Sequence, residues 1–148
     1  MKLTLDVENT VTKRDGKMHL DPFEPENSLT MIGVLTDQGM EQHFPFDHSD
    51  VPNQQDYYER VQWYLDQATV LICHNAAYDL MWLWESGFKY DGPVFDTMLA
   101  EYVLQRGIKE PLSLEACAER YELDTKKQDT LKEYFKQGYS TRDIPYNE

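Results

Sequence analysis

The sequence predicts an α/β fold with a mixed β-sheet flanked by helices. Three observations carry that prediction. Lys2–Glu8 (KLTLDVE) alternates Leu3, Leu5 and Val7 with Lys2, Thr4, Asp6 and Glu8, the period of two of a half-buried strand. Two more apolar stretches, Ser28–Thr36 and Met40–Phe46, are joined by the turn Asp37-Gln38-Gly39, which suggests an antiparallel series with the first strand. Thr69–Cys73 (TVLIC) is a short continuous apolar run between two helical patterns, as expected of a buried strand entered by a crossover.

The remaining elements follow in order. Asn9–Asn27 is polar and broken by Gly16, Pro22 and Pro25, so it reads as a long connection or an irregular hairpin arm. His48–Asn53 is a loop, and Asn53 is placed to cap a helix whose apolar face is Tyr57, Val61, Tyr64, Leu65 and Ala68. A second helix spans about Ala76 to Ser86, rich in Leu80, Met81, Trp82, Leu83 and Trp84 and stopped by Gly87. Val94-Phe95 is a short extended piece. Asp96 can cap a helix reaching Gln105, and Ser113 another with Leu114, Cys117 and Tyr121 on one face. Thr130 and Glu133 fit a capping box before a last helix ending at Gly138. Three strands, a helix, a strand and then mainly helices match a ribonuclease-H-like layout, with the first strand central.

Composition bounds the function. The 148 residues, 41% hydrophobic and 13% aromatic, fit one globular domain over 1–148. No apolar run reaches the length of a membrane span, and the early acids of MKLTLDVE do not suit a signal peptide, so the expected location is cytoplasmic. Cys73 and Cys117 read as buried free thiols. A net charge of −13, from 14 basic and 27 acidic residues, argues against broad phosphate contact with duplex DNA. It leaves open a nucleic-acid enzyme whose bound metal ions supply the positive charge.

Asp6 and Glu8 project from one face of the first strand and repel each other unless they are solvated or share a hard divalent cation, Mg²⁺ or Mn²⁺. His74–Asp79 (HNAAYD) sits where the buried strand gives way to a helix. Asn75 and Asp79 are four apart and share a face if both are helical. Asn75 is equally suited to cap the helix or to meet a ligand. Asp79, on an otherwise apolar helix, costs free energy to bury unless paired, and a metal would resolve that cost.

The combination LDVENT, HNAAYD, FDTMLAEYVL and LSLEACAERY resembles the 3′–5′ exonuclease domain of family A DNA polymerases, of the phage and DNA polymerase I type, over nearly the whole chain. The resemblance implies that Asp6 and Glu8 supply the first metal-binding motif and Asp79 the second, around Mg²⁺ or Mn²⁺. It implies a proofreading enzyme that hydrolyses nucleotides from a single-stranded DNA 3′ end, with Thr10 and Asn75 contacting the terminal nucleotide. Asp96 matches a position outside the metal ligands and reads as a helix cap. The family's third motif, a helical Tyr-x-x-x-Asp or His-x-x-x-x-Asp, has no convincing match. Tyr139 and Asp143 have the spacing, but Gly138, Ser140, Thr141 and Pro145 surround them with loop chemistry. The chain is therefore expected to be the N-terminal part of a longer polymerase, in host-cell cytoplasm if phage-encoded, and weak as a nuclease alone.

Two other readings remain: a catalytically incomplete exonuclease-fold module that binds a strand or serves structurally, and an acidic protein-binding module that mimics DNA. Lys126-Lys127 reads as a solvated loop, Trp63, Trp82 and Trp84 as core. His19, His43 and His48 lack ligand spacing.

Overall fold

The computed structural model describes residues 1–48, 54–124, 129–140 and 142–144, with backbone alone for 129–132. Five strands form the main sheet: β1 (Lys2–Asn9), β4 (Leu29–Thr36), β5 (Glu41–Pro45), β6 (Val70–Cys73) and β7 (Val94–Asp96). Two short strands, β2 (Thr12–Arg14) and β3 (Lys17–His19), form a separate hairpin within the connection after β1. The helices are α1 (Gln55–Gln67), α2 (Ala76–Glu85), α3 (Thr97–Leu104), α4 (Leu114–Arg120) and α5 (Asp129–Lys136).

The sheet order is β5-β4-β1-β6-β7. β1 pairs antiparallel with β4, β4 antiparallel with β5, and β6 runs parallel to both β1 and β7. The strand carrying Asp6 and Glu8 is therefore central, and the TVLIC strand lies beside it, as the crossover through α1 requires. This is the α/β, ribonuclease-H-like mixed sheet that the element order predicts.

Alternation decides the faces of β1. Leu3, Leu5 and Val7 are buried, whereas Lys2, Thr4, Asp6 and Glu8 are exposed. The buried set joins Ile32 and Val34 of β4, Phe44 of β5, Leu71 of β6, Val61 and Leu65 of α1, and Trp82 and Leu83 of α2 in one core. Phe46 packs edge-on against Tyr58 at 4.7 Å between ring centroids, extending that core beyond β5. Burial of this apolar surface is the main favourable term holding α1 and α2 to the sheet.

Several local expectations are corrected. Trp82 is core, but Trp63 and Trp84 are each 55% exposed, on the solvent sides of α1 and α2. Trp84 is fixed there by its indole N–H, which donates to the Tyr90 carbonyl at 3.2 Å. Asn53, Lys126, Lys127 and Pro145 lie outside the described residues; α1 is preceded by Gln54, which makes no side-chain capping bond. α5 already includes Asp129, so Thr130 falls inside its first turn, not at the flanking position that a capping box needs. On α4 Cys117 is buried, but Leu114 and Tyr121 are about half exposed. The Asn9–Asn27 arm does contain a hairpin. Its turn, Asp15-Gly16, has φ of 52° and 76°, the left-handed pair favoured in two-residue hairpin loops.

Leu5 lies beneath the acidic face of β1, so Leu5→Ala should lower the unfolding free energy by about 2–5 kcal/mol. Leu99→Ala on the exposed side of α3 should change it by less than about 0.5 kcal/mol. Urea unfolding of both variants checks the contrast, and equal losses would show that the core is misassigned.

Candidate active site

The candidate site forms where β1 outruns its parallel neighbour. β6 pairs with only Lys2, Leu3 and Thr4 of β1. Beyond Thr4 that backbone edge is left to α2, which begins just after β6 ends. Asp79, in the first turn of α2, enters the gap, and its Oδ1 accepts the Val7 N–H at 3.2 Å. It is 2% exposed.

Burial raises the Asp79 carboxyl first, and the negative charge of Asp6 adds to that. The Val7 N–H opposes both, Asp96 and Glu8 raise it further, and the balance stands at about 7. Cys73, on β6 beneath this end of the sheet, is also pushed up, first by burial and then by Asp79, Asp6 and Asp96. The structure thus brings Asp79 to β1 within electrostatic reach of both Asp6 and Glu8. Among the described residues, no three His, Cys, Asp or Glu side chains stand ready as a metal shell. The acids are gathered around one strand end without being closed into a cage.

Asn75 occupies the turn from β6 into α2 with φ 68° and ψ 61°, a left-handed conformation that Asn tolerates better than most residues. It makes no side-chain capping bond. Its side chain is exposed at the mouth of the site. The capping falls instead to Asp96, at the end of β7. One Asp96 oxygen accepts the Asn75 N–H and the other the Ala76 N–H, each at 3.0 Å. The first oxygen also caps α3, accepting from Met98 N at 2.9 Å and Leu99 N at 3.3 Å. Burial would raise this carboxyl, but the N–H groups of Ala76, Asn75, Leu99 and Met98 outweigh it and hold it below the usual range. The expected cap of α3 is present; the grip on α2 could not be read from local sequence, because it joins residues about twenty positions apart.

The contacts of His74 are structural. Nε2 donates to the Leu112 carbonyl at 2.7 Å, and Nδ1 meets the Thr97 hydroxyl at 2.9 Å. Thr10 is buried, and its hydroxyl accepts the Ser28 N–H at 2.8 Å. Tyr139 and Asp143 lie outside α5. Asp143 turns back to accept from the Ser140 hydroxyl at 2.7 Å and the Ser140 N–H at 3.3 Å, as in a local turn. Its neighbour Ile144 is buried, and the Ile144 carbonyl accepts from His48 Nδ1 at 3.1 Å. That anchor had no periodicity to announce it.

No protein-family model and no curated protein matches the sequence. Solved structures do match by fold. Brucella melitensis NrnC with bound Mg²⁺ aligns with TM-score 0.59 and 19% identity, over 86% of this chain and 57% of that one. NrnC bound to pGG aligns with TM-score 0.59 and 21% identity, over 86% and 56%. The family B DNA polymerase of the archaeon Pyrobaculum calidifontis aligns with TM-score 0.55 and 19% identity, over 80% of this chain and 18% of the polymerase. The chain spans a little over half the length of the nucleases it matches.

Two outcomes are expected from the geometry. Because the folded pKa of Asp79 is raised from 3.8 to about 7, its neutral form contributes stability that is complete below the lower value and lost as pH rises through the higher. Melting of the wild type in EDTA should therefore fall across that window more steeply than melting of Asp79→Asn; parallel curves would assign the loss to other groups. Asp96→Ala should cost about 0.5–2 kcal/mol for each helix it caps. Amide exchange should accelerate at Asn75 and Ala76 as well as at Met98 and Leu99, and acceleration confined to α3 would refute the double cap.

Taken together, the sheet order, the crossover and the aligned structures establish a ribonuclease-H-like fold for this chain.

Proposed function

We propose that this chain is a metal-dependent 3′–5′ exonuclease domain of the proofreading kind, the N-terminal part of a phage-type, family A DNA polymerase, acting on single-stranded DNA 3′ ends. The observation that carries the reading is Asp79 at the end of β1, its carboxyl raised first by burial and then by Asp6, with Asp96 and Glu8 adding to it. A carboxylate is costly there without a cation. The donors available are all carboxylate oxygens, the set that hard Mg²⁺ or Mn²⁺ prefers. The donor chemistry therefore fits a divalent cation, with Asp6, Glu8 and Asp79 as the residues that would hold it.

Divalent ions held by these carboxylates would supply Lewis-acid activation of a water near neutral pH and stabilisation of the charge that develops in phosphoryl displacement. The chain's own contribution is positional. β1 fixes Asp6 and Glu8 on one face of a central strand, so their separation is set by the backbone. Asp96 seats the start of α2, which sets how far Asp79 reaches toward Val7. Asn75 offers an exposed amide to a terminal nucleotide. Thr10 Oγ1 accepts the Ser28 N–H, and its own O–H would donate to a nucleotide. Asp143 and Tyr139 are assigned no catalytic part. The first is turned onto Ser140, and the second stands edge-on to Tyr134 at 5.7 Å between centroids.

One observation favours a second reading. Without three donors already drawn together among the described residues, the same fold could hold a strand without cutting it. The test is Mn²⁺-dependent nucleotide release from single strands labelled at either end. Release from the 3′ end is expected, reduced at least about 100-fold by Asp6→Asn, Glu8→Gln or Asp79→Asn and unchanged by Asp143→Ala. Release that ignores Asp79→Asn would overturn the metal-site assignment. Mn²⁺ binding with no release would favour the binding module.

A further inference from the structure

The hairpin between β1 and β4 has one face occupied and one face open. Cross-strand partners in β2 and β3 are Thr12 with His19, Lys13 with Met18, and Arg14 with Lys17. Directly opposed residues share a face, and neighbours alternate. The Thr12 and Arg14 side is taken up by the following loop. Thr12 Oγ1 donates to Asn27 Oδ1 at 2.7 Å, and Arg14 pairs with Glu24 at 2.9 Å. The opposite side presents Lys13 beside Met18, which is 61% exposed. Val11 and Leu20, two positions outward on each strand, are exposed as well.

The hairpin has unusual chemistry for the chain. In a protein of net charge −13, the hairpin carries Lys13, Arg14 and Lys17 against a single acid, Asp15. Glu24 and Glu26 engage Arg14, and Lys17 lies on that same side, so Lys13 is the cation of the open face. The arm is also tied to the helix that bears Asp79. The Leu20 carbonyl accepts from Asn9 Nδ2, the Tyr78 hydroxyl and Trp82 Nε1, each at 3.2 Å. Tyr78 and Trp82 flank Asp79 on α2, so the hairpin's distance from the acids is fixed by hydrogen bonds at its base. A cavity of about 520 Å³, lined by Thr10, Thr12 and Lys13 together with Glu26, Asp47 and Arg142, opens where the arm leaves β1.

We infer that the β2–β3 hairpin is a platform for single-stranded nucleic acid, with Lys13 contacting a backbone phosphate and Met18 and Leu20 the faces of bases upstream of the 3′ end. The inference rests on the proposed nuclease reading and names the element that holds its substrate. Charge complementarity selects the occupant: a polyanion meets a cationic edge on a chain that repels it elsewhere. Apolar side chains beside the cation match the alternation of base and phosphate along an unpaired strand.

The test is fluorescence anisotropy of a labelled oligothymidylate in Ca²⁺, at several salt concentrations, with wild type, Lys13→Ala and Met18→Ser. Both residues are exposed, and unchanged melting temperatures would verify that the variants fold. Lys13→Ala should weaken binding about three- to tenfold and lower the salt slope by about 0.7, the value of one phosphate contact on a single strand. Met18→Ser should weaken binding about threefold with the slope unchanged. Mn²⁺-dependent cleavage of a dinucleotide, too short to reach the arm, should be the same in all three proteins. Strand affinity unaltered in both variants, or no strand binding by the wild type, overturns the inference. Loss of strand affinity in the variants when the wild type cleaves nothing supports the platform and refutes the hydrolytic reading.

Discussion

One carboxylate, that of Asp96, determines how the carboxyl end of this sheet is arranged. α2 has to start at a left-handed Asn75, directly after a four-residue strand, and still return its fourth residue to the edge of β1. A helix entered so abruptly leaves its first N–H groups without intrahelical partners. Asp96 reaches across from β7 and accepts from two backbone N–H groups at that start, and it caps α3 with the same side chain. The four N–H groups hold its carboxyl below the usual range despite burial, whereas that of Asp79 is raised. Two aspartates at one strand end are thus driven in opposite directions. Asp96 is rich in donors, whereas Asp79 has the Val7 N–H and three acidic neighbours.

That contrast bears on stability. A buried acid with a raised pKa, near other acids, opposes folding of the metal-free protein at neutral pH. Functional sites commonly keep such local costs, offset by the rest of the structure. Here the offset lies directly beneath. Leu3, Leu5 and Val7 alternate with the acids on β1 and are almost wholly buried. The same period of two that exposes Asp6 and Glu8 therefore anchors the strand that carries them.

What the sequence made legible follows from the range of the interactions involved. β1, β4, β5 and β6 were readable because alternation and apolar runs are local patterns, and their order followed from connection rules. The cap of α3 by Asp96 was readable because donor and acceptor lie within three residues. The misreadings involve longer reach. Asn75 suited a cap of α2 and a ligand contact equally, because the carboxylate that does hold the start of α2 lies about twenty residues away. Trp84 looked buried because a short, apolar helix gave no polar face to orient it. Proximity of Asp79 to β1 was legible from its place after a buried strand. Its bond to Val7 was not, since nothing in the sequence says how far β6 pairs along β1.

The outer helices are held by different forces from the inner ones. α1 and α2 contribute Val61, Leu65, Trp82 and Leu83 to the core. α3 buries only Glu101 and leaves Leu99, Tyr102, Val103 and Leu104 exposed. Its attachments are polar: the Asp96 cap, the Thr97 contact with His74, and Glu101, which accepts from Arg120 of α4 at 3.0 Å and from the Tyr121 hydroxyl at 2.7 Å. Polar attachments at a surface contribute less net stability than apolar burial, because water competes for the same groups. The α3–α4 layer should accordingly open at lower free energy than the sheet. Such opening would leave Asp6 and Glu8 in place, because β1 is braced by β4 on one side and by the core beneath. It would reach Asp79 through Asp96, which holds the start of α2, and through His74, whose ring meets Thr97 and the Leu112 carbonyl just ahead of that helix.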